Sequence, residues 1–274
     1  MKFCNHIHLI PIGGLCNRMR VMASVAYMSQ QLSCNWQIHW HKDSGMNASF
    51  HRLFKANACL PVKEGGITDF FIYHQPLKYN LYLPACIDKI FGRIACYDAH
   101  AEDFAAMLAN PSSANKTLIV SSGSQLSEMM PLVDLFVPVD DIQQDIDSLK
   151  AQFGYCTYGV HIRRTDNKQS IQHSSLDKFY AKLDQLFADE PEAKVYLCSD
   201  DKDVKQQFCE RYNTDQERII TYAATLNRHS FKGIRDAVIE LFALSSTKKI
   251  YGSYYSSYTD LASALHGAPL EVVK

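Results

Sequence analysis

The amino-acid sequence predicts an α/β protein of two lobes, and a few observations carry that prediction. A strand, a glycine turn, a helix and a second strand follow one another from Phe3 to Trp40. This is the unit that opens a parallel sheet. From Tyr158 to Leu265, strands and helices alternate again. Between these regions, Val139 to Phe153 is polar with a narrow apolar stripe, as expected of a helix joining two lobes.

Taken in order, Phe3 to Ile12 reads as a strand that Gly13-Gly14 breaks. Leu15, Met19, Met22, Ala23, Ala26 and Tyr27 then recur at helical spacing, and Trp36 to Trp40 reads as a strand. The middle is less regular. It predicts a helix near Phe50 to Ala58, a strand near Phe70 to Tyr73, a helix at Ala101 to Leu108 and a strand at Thr117 to Ser121. Its aromatic residues, among them Phe50, Phe70, Phe71, Tyr73, Tyr79 and Tyr82, suit core packing more than sugar stacking.

Beyond Pro138, Ile142, Ile146 and Leu149 define the joining helix, and Asp140 and Asp141 suit its positive N-terminus. Strands follow at Tyr158–Ile162, Val195–Cys198, Arg218–Thr221 and Lys249–Gly252. Helices lie at Leu176–Phe187, from Asp201 to about Tyr212, at Arg235–Ser245 and at Thr259–Leu265. That alternation is a doubly wound parallel sheet. The expected domains are residues 1–138 and 139–274.

Composition excludes some functions. The 274 residues are 47% hydrophobic, and 28 basic against 29 acidic residues leave a net charge of -1. A general nucleic-acid or membrane-surface binder would carry a basic excess or a polybasic block. Nine cysteines (Cys4, Cys16, Cys34, Cys59, Cys86, Cys96, Cys156, Cys198 and Cys209) are odd in number and form no C-x-x-C pair. They read as buried thiols of a reducing compartment rather than as disulfides or a zinc site. The apolar run at MKFCNHIHLIPIGG is short for a signal peptide, and no run reaches the length of a membrane span. The expectation is a cytoplasmic protein.

Ligands of doubly wound sheets sit at the carboxyl ends of the strands, and distinctive motifs fall there. GGLCNR, Gly13 to Arg18, places glycines before a helix, where the backbone can approach an anion. A tight structural turn explains it equally well. HIRRTD, His161 to Asp166, puts two arginines at a strand end. One can fork onto a diphosphate, and the other can pair with Asp166 to brace the loop. In SDD, Ser199 to Asp201, a carboxylate caps the next helix more readily than it binds a metal. In YGSYYSSYTD, Ser257 and Asp260 resemble a capping box, and the helix N-terminus with Ser256 and Ser257 suits phosphate. Together these make a metal-free diphosphate site, in which arginine and fixed dipoles stabilise a leaving nucleoside diphosphate.

The segments GGLCNRMRVMAS, YGVHIRRTDN, VYLCSDD and AVIELFALSSTKKIYGSYYSSYTDLASALHG, in that order, resemble the fucosyltransferase superfamily over residues 7–40 and 155–267. The form HIRRTD is most similar to the α1,6 and nodulation type and its bacterial relatives. The resemblance implies a GT-B-like fold, with two Rossmann-like lobes and a cleft between them. The N-terminal lobe would form the acceptor side and the C-terminal lobe the donor side. It also implies inverting, metal-independent transfer of L-fucose from GDP-fucose to a glycan, with no cofactor besides that donor. Arg163 would bind the β-phosphate and His161 would lie near the guanosine. Gly13, Gly14 and the catalytic Asn17 would meet the pyrophosphate and sugar. Asp200, Ser256 and Ser257 would complete the donor site, and Glu240 would read the guanine edge. Arg164 and Asp166 would brace the loop. A bacterial polysaccharide-biosynthesis acceptor follows from family habit.

The sequence departs from the family pattern in two places. Cys16 stands where relatives commonly have glycine, and Ile171 or Gln172 stands where relatives have a glutamate base. His173, Asp177 or Asp166 would then serve as base, or the acceptor hydroxyl would lose its proton late. Two alternatives remain: transfer from another nucleoside-diphosphate sugar, and a non-catalytic nucleotide-sugar-binding protein.

Overall fold

Strands whose residues are buried on both faces must be covered by helices on both sides, which is the condition for a parallel sheet. That condition is met twice. A computed structural model describes residues 6–32, 34–165 and 167–274. The described chain divides into two compact units, residues 1–139 with 228–234, and residues 140–227 with 235–274.

In the first unit the elements run β1 (His6–Pro11), α1 (Leu15–Leu32), β2 (Asn35–Trp40), β3 (Val62–Glu64), α2 (Ile67–Ile72), α3 (Leu83–Ile90), β4 (Ile94–Cys96), α4 (Ala101–Ala109), β5 (Thr117–Ser122) and α5 (Leu132–Leu135). The sheet order is β3-β2-β1-β5-β4, all parallel. In the second unit follow α6 (Asp140–Lys150), β6 (Thr157–Ile162), α7 (Lys168–His173), α8 (Leu176–Asp189), β7 (Lys194–Ser199), α9 (Lys202–Tyr212), β8 (Ile219–Thr221), α10 (Phe231–Ser245), β9 (Ile250–Ser253), α11 (Ser257–His266) and β10 (Leu270–Val273). This sheet is also parallel, in the order β10-β9-β6-β7-β8. The first turn of α10 belongs to the first unit. There Asn47 donates to the His229 carbonyl at 2.8 Å, and Arg52 lies 3.6 Å above the Phe231 ring.

Three expectations for the irregular segments need correction. The helix expected near Phe50 to Ala58 is a single 3₁₀ turn, Phe50–Arg52. Phe50, Leu53 and Phe54 have helical spacing and are fully buried, but bridges from Phe54 to Pro138 and from Asn57 to Leu60 draw the chain out. Phe70 to Tyr73 falls on helix α2, not a strand. The aromatics suggested β structure, but α2 turns Asp69 inward, 2.8 Å from Lys63. The second sheet has a fifth strand, β10, absent from the sequence reading.

The cysteines also differ from expectation. Among the described residues only Cys16, Cys34 and Cys198 are buried cysteines, and Cys59 and Cys86 are exposed. Cys4 and the bracing residue Asp166 lie outside the described residues. No helix among the described residues is long and apolar enough to cross a membrane.

One face of the first sheet carries a polar layer. His6 and His8 alternate along β1, and His39 lies on β2 with His41 just beyond its end. His8 Nδ1 lies 2.8 Å from His39 Nε2, and the Tyr73 ring stacks 4.2 Å from both imidazoles. His39 Nδ1 is 3.9 Å from Asp69, too far for a hydrogen bond. Burial lowers the pKa of His8 and His39 to about 3 and that of His41 to about 4.

Candidate functional site

The order β10-β9-β6-β7-β8 places a topological switch point between β6 and β9. From β6 the chain winds one way through β7 and β8, and from β9 the other way to β10. The loops leaving β6 and β9 therefore part, opening a crevice at their carboxyl ends. The sequence places HIRRTD and YGSYYSSYTD on those two loops.

His161 is the penultimate residue of β6 and is buried. Its Nδ1 lies 2.9 Å from the Thr259 hydroxyl and 3.4 Å from that of Ser256, and its ring stacks on Tyr258. Burial holds its pKa far below the usual histidine value, so the imidazole is neutral at neutral pH. Thr259 reaches it because β9 has a glycine opposite. A Cβ on Gly252 would lie 2.1 Å from Thr259 Cγ2.

The strand ends at Ile162, and Arg163 and Arg164 follow it. Arg163 donates its backbone N–H to the Ser253 hydroxyl at 3.0 Å, joining the two loops at the switch point. Its guanidinium Nε is 3.2 Å from Asp200. The same carboxylate accepts from the backbone N–H of Arg164 at 2.7 Å and of Thr165 at 3.2 Å, and from the Thr165 hydroxyl at 2.6 Å. Asp200, expected with the donor, therefore clamps the arginine loop. The Arg164 guanidinium donates to the Ser174 carbonyl at 2.8 Å, with its expected partner Asp166 outside the described residues. The neighbouring Asp201 caps α9, accepting from the Asp203 N–H at 2.9 Å.

Helix α11 is capped by Ser256, not by Ser257 as expected. The Ser256 hydroxyl accepts from the Thr259 N–H at 3.4 Å, and Ser257 is the first helical residue. The shift of one residue leaves both serines at the positive end of the helix, beside His161. The loop before them is held by residues that the sequence reading passed over. Asn167 donates to the Tyr255 carbonyl, Ser170 to the Tyr254 carbonyl and the Tyr254 N–H to Ser174, all at 2.8 Å. Their signal was a run of small polar residues just after the arginines.

On the β7–β8 side, Glu240 of α10 is buried, with Lys205 2.5 Å from its Oε1. Burial raises the Glu240 pKa to about 7, and Lys205 opposes that rise. Lys205 also donates to the Tyr222 carbonyl at 3.0 Å. Nothing in the sequence marked this lysine. The candidate bases lie elsewhere. His173 ends α7, exposed, with its ring 4.8 Å from Tyr254, and Asp177 is exposed in the first turn of α8.

In the first unit, Gly13 and Gly14 form the turn from β1 into α1, and Asn17 lies in the first turn of α1. Gly13 has φ of 78°, the left-handed region that glycine tolerates. Arg18, which the sequence reading gave no role, is the rivet of this turn. It is buried and donates to the Gly13 carbonyl at 2.9 Å, the His41 carbonyl at 2.6 Å and Asp43 at 2.5 Å. Cys16 is buried on α1.

The same arrangement of sheets and helices occurs in solved structures. NodZ α-1,6-fucosyltransferase co-crystallised with GDP superposes with a TM-score of 0.62 at 16% identity, over 94% of this chain and 91% of that one. POFUT1 in complex with GDP gives 0.59 at 10% identity over 98% of each chain. The fold is that of the fucosyltransferases. Fucosyltransferase NodZ from Bradyrhizobium gives 0.63 at 14% identity, over 94% of this chain and 92% of that one. NodZ has also been soaked with GDP-fucose. No protein-family model and no curated protein sequence matches the chain. The fucosyltransferase fold is thus shared here at identities where few side chains coincide.

Proposed function

We propose that the protein is a glycosyltransferase that moves L-fucose from GDP-fucose to a glycan acceptor, with inversion and without a metal. The observation that carries this reading is the convergence of Arg163 and the α11 N-terminus on the β6/β9 switch point. Structures of this fold determined with GDP, and one soaked with GDP-fucose, support it.

As the bond from fucose C1 to the diphosphate breaks, negative charge grows on the β-phosphate. Arg163 and the α11 dipole, with the hydroxyls of Ser256 and Ser257, stabilise that charge more than they stabilise the intact donor. The acceptor oxygen attacks C1 from the opposite face, and its proton passes to a base, for which His173 and Asp177 are the described candidates. Neutral His161 lines the nucleoside side without adding a charge. Glu240, whose ionised form Lys205 favours against burial, supplies an acceptor for the N–H groups of a guanine edge. Asp200 and Arg164 hold the arginine loop.

Calorimetry with GDP in metal-chelated buffer tests the donor site. Binding by the native protein is expected, with a loss of roughly 100-fold or more in Arg163→Ala. No binding of GDP at millimolar concentration would refute the reading. UDP and dTDP in the same assay test the base, and turnover of GDP-fucose with a glycan panel separates an enzyme from a binding protein.

A further inference from the structure

Helix α3 of the first unit is built inside out. At 100° per residue, Leu83, Cys86, Ile87 and Ile90 fall on one stripe, while Pro84 and Asp88 fall on another. A core-facing helix buries the first stripe. Here Pro84 and Asp88 are buried, and Leu83, Cys86 and Ile90 are exposed, with Ile87 partly so. Ile90 is 76% exposed and the following Phe91 70%. At the other end of the helix, Leu81 and Tyr82, both at left-handed φ, are 73% and 56% exposed. Large apolar side chains this exposed, this close together, mark an interaction surface.

Charge identifies the occupant. Between His74 and Tyr97 the basic residues are Lys78, Lys89 and Arg93, and the one carboxylate is Asp88. Asp88 points inward, accepting from the Tyr97 hydroxyl at 2.7 Å, with Arg93 at 3.8 Å. Lys78 and Lys89 are exposed, Arg93 lies 5.3 Å over the Phe91 ring, and Lys116 Nζ is 4.0 Å from where a Cβ on Gly92 would stand. The Ile90–Phe91 tip is therefore flanked by the exposed Lys89 and Lys116, with the largely buried Arg93 beside the Phe91 ring. A second copy of the chain would bring like charges together across a twofold axis, which disfavours self-association. Exposed aliphatic and aromatic side chains flanked by lysines are what an anionic bilayer accepts, with apolar groups in the acyl boundary and cations at the headgroups.

We propose that α3 and the turns at its ends dock on an anionic lipid surface. The chain-wide charge balance, which argued against a membrane-surface binder, conceals this local segment. The binding is led by apolar insertion, with the cations selecting the lipid. It is independent of the donor reading, since every residue invoked lies outside the switch-point site.

The test is co-sedimentation of the full chain with phosphatidylcholine vesicles, with and without phosphatidylglycerol. Binding is expected to the anionic vesicles, weaker at high salt and on phosphatidylcholine alone. The double variant Ile90→Ser/Phe91→Ser should bind at least about tenfold less. Its thermal midpoint should stay unchanged, because both side chains are exposed. Three results would overturn the proposal. These are no binding to anionic vesicles, equal binding by the double variant, or a concentration-dependent dimer that the double variant abolishes.

Discussion

Acidification should unfold the first unit. His8, His39 and His41 have pKa values of about 3, 3 and 4, because burial opposes their charged forms. In the unfolded chain each returns to about 6.5. The folded values are depressed, so below about pH 6.5 the unfolded state takes up protons that the folded state refuses, and stability falls as pH falls. The loss continues until the folded groups themselves titrate, near pH 4 for His41 and near pH 3 for His8 and His39. At about pH 5 each histidine contributes about 2 kcal/mol of destabilisation, and the three together about 6 kcal/mol, comparable to the whole stability of an ordinary domain. Asp69 favours the charged form of His8 and His41 but does not overcome burial, and Lys63 and Arg93 add to the penalty.

Both tryptophans, Trp36 and Trp40, lie on β2 of this unit, so their fluorescence reports it selectively. Urea unfolding followed at that signal should show the midpoint dropping steeply between about pH 7 and about pH 5. His8→Gln, which can accept the His39 bond but cannot be protonated, should recover about 2 kcal/mol at the acid end. A midpoint independent of pH over that range, or a His8→Gln variant with the native pH dependence, would refute the reasoning.

Other perturbations bear on the donor site and the fold. Lys205→Met removes the charge that opposes the effect of burial on Glu240, so the Glu240 pKa should climb beyond about 7. GDP affinity should then fall at neutral pH and recover only well above it, whereas the native protein should lose affinity as pH falls through about 7. Calorimetry across pH distinguishes the two. Gly252→Ala forces Thr259 away from β9 and so from His161, and urea unfolding should show a loss of about 1–3 kcal/mol. Asp200→Asn keeps the size of the clamp but removes its charge, and GDP should bind roughly tenfold more weakly with little change in the unfolding midpoint.

The sequence revealed the parts of the molecule where a local pattern is also the final environment. Val160 and Ile162 are apolar and fully buried, so β6 was legible, as was the stripe of α6 through Ile142, Ile146 and Leu149. Strands β3, β4 and β10 have three or four residues each, too few for periodicity alone to separate from loop, whereas β8 and β9, equally short, were legible between the helices on either side of them. At the site, strand ends and glycine turns located the loops, but the partner of each side chain is a tertiary fact. Asp200 is a clamp because Arg164 and Thr165 present their N–H groups to it across the gap between β6 and β7. Lys205 meets Glu240 only after α9 and α10 are both docked. The alternating histidines of β1 and β2 did carry a readable signal, since period-two spacing on neighbouring strands puts them on one face.

The path of the chain between the two units governs how the protein can be made and dissected. It passes from the first unit to the second after Val139, returns at Arg228, and leaves again after Ile234. The Asn47 and Arg52 contacts to His229 and Phe231 are therefore met by a segment synthesised long after the rest of the first unit. On the ribosome, the N-terminal half emerges with one wall missing and is completed only when most of the C-terminal half has followed. A cut at the 139/140 boundary would leave the N-terminal fragment without residues 228–234, while the C-terminal fragment would hold all of the second unit. The N-terminal fragment expressed alone should recover the native urea midpoint better when it is supplemented by a peptide spanning residues 228–234.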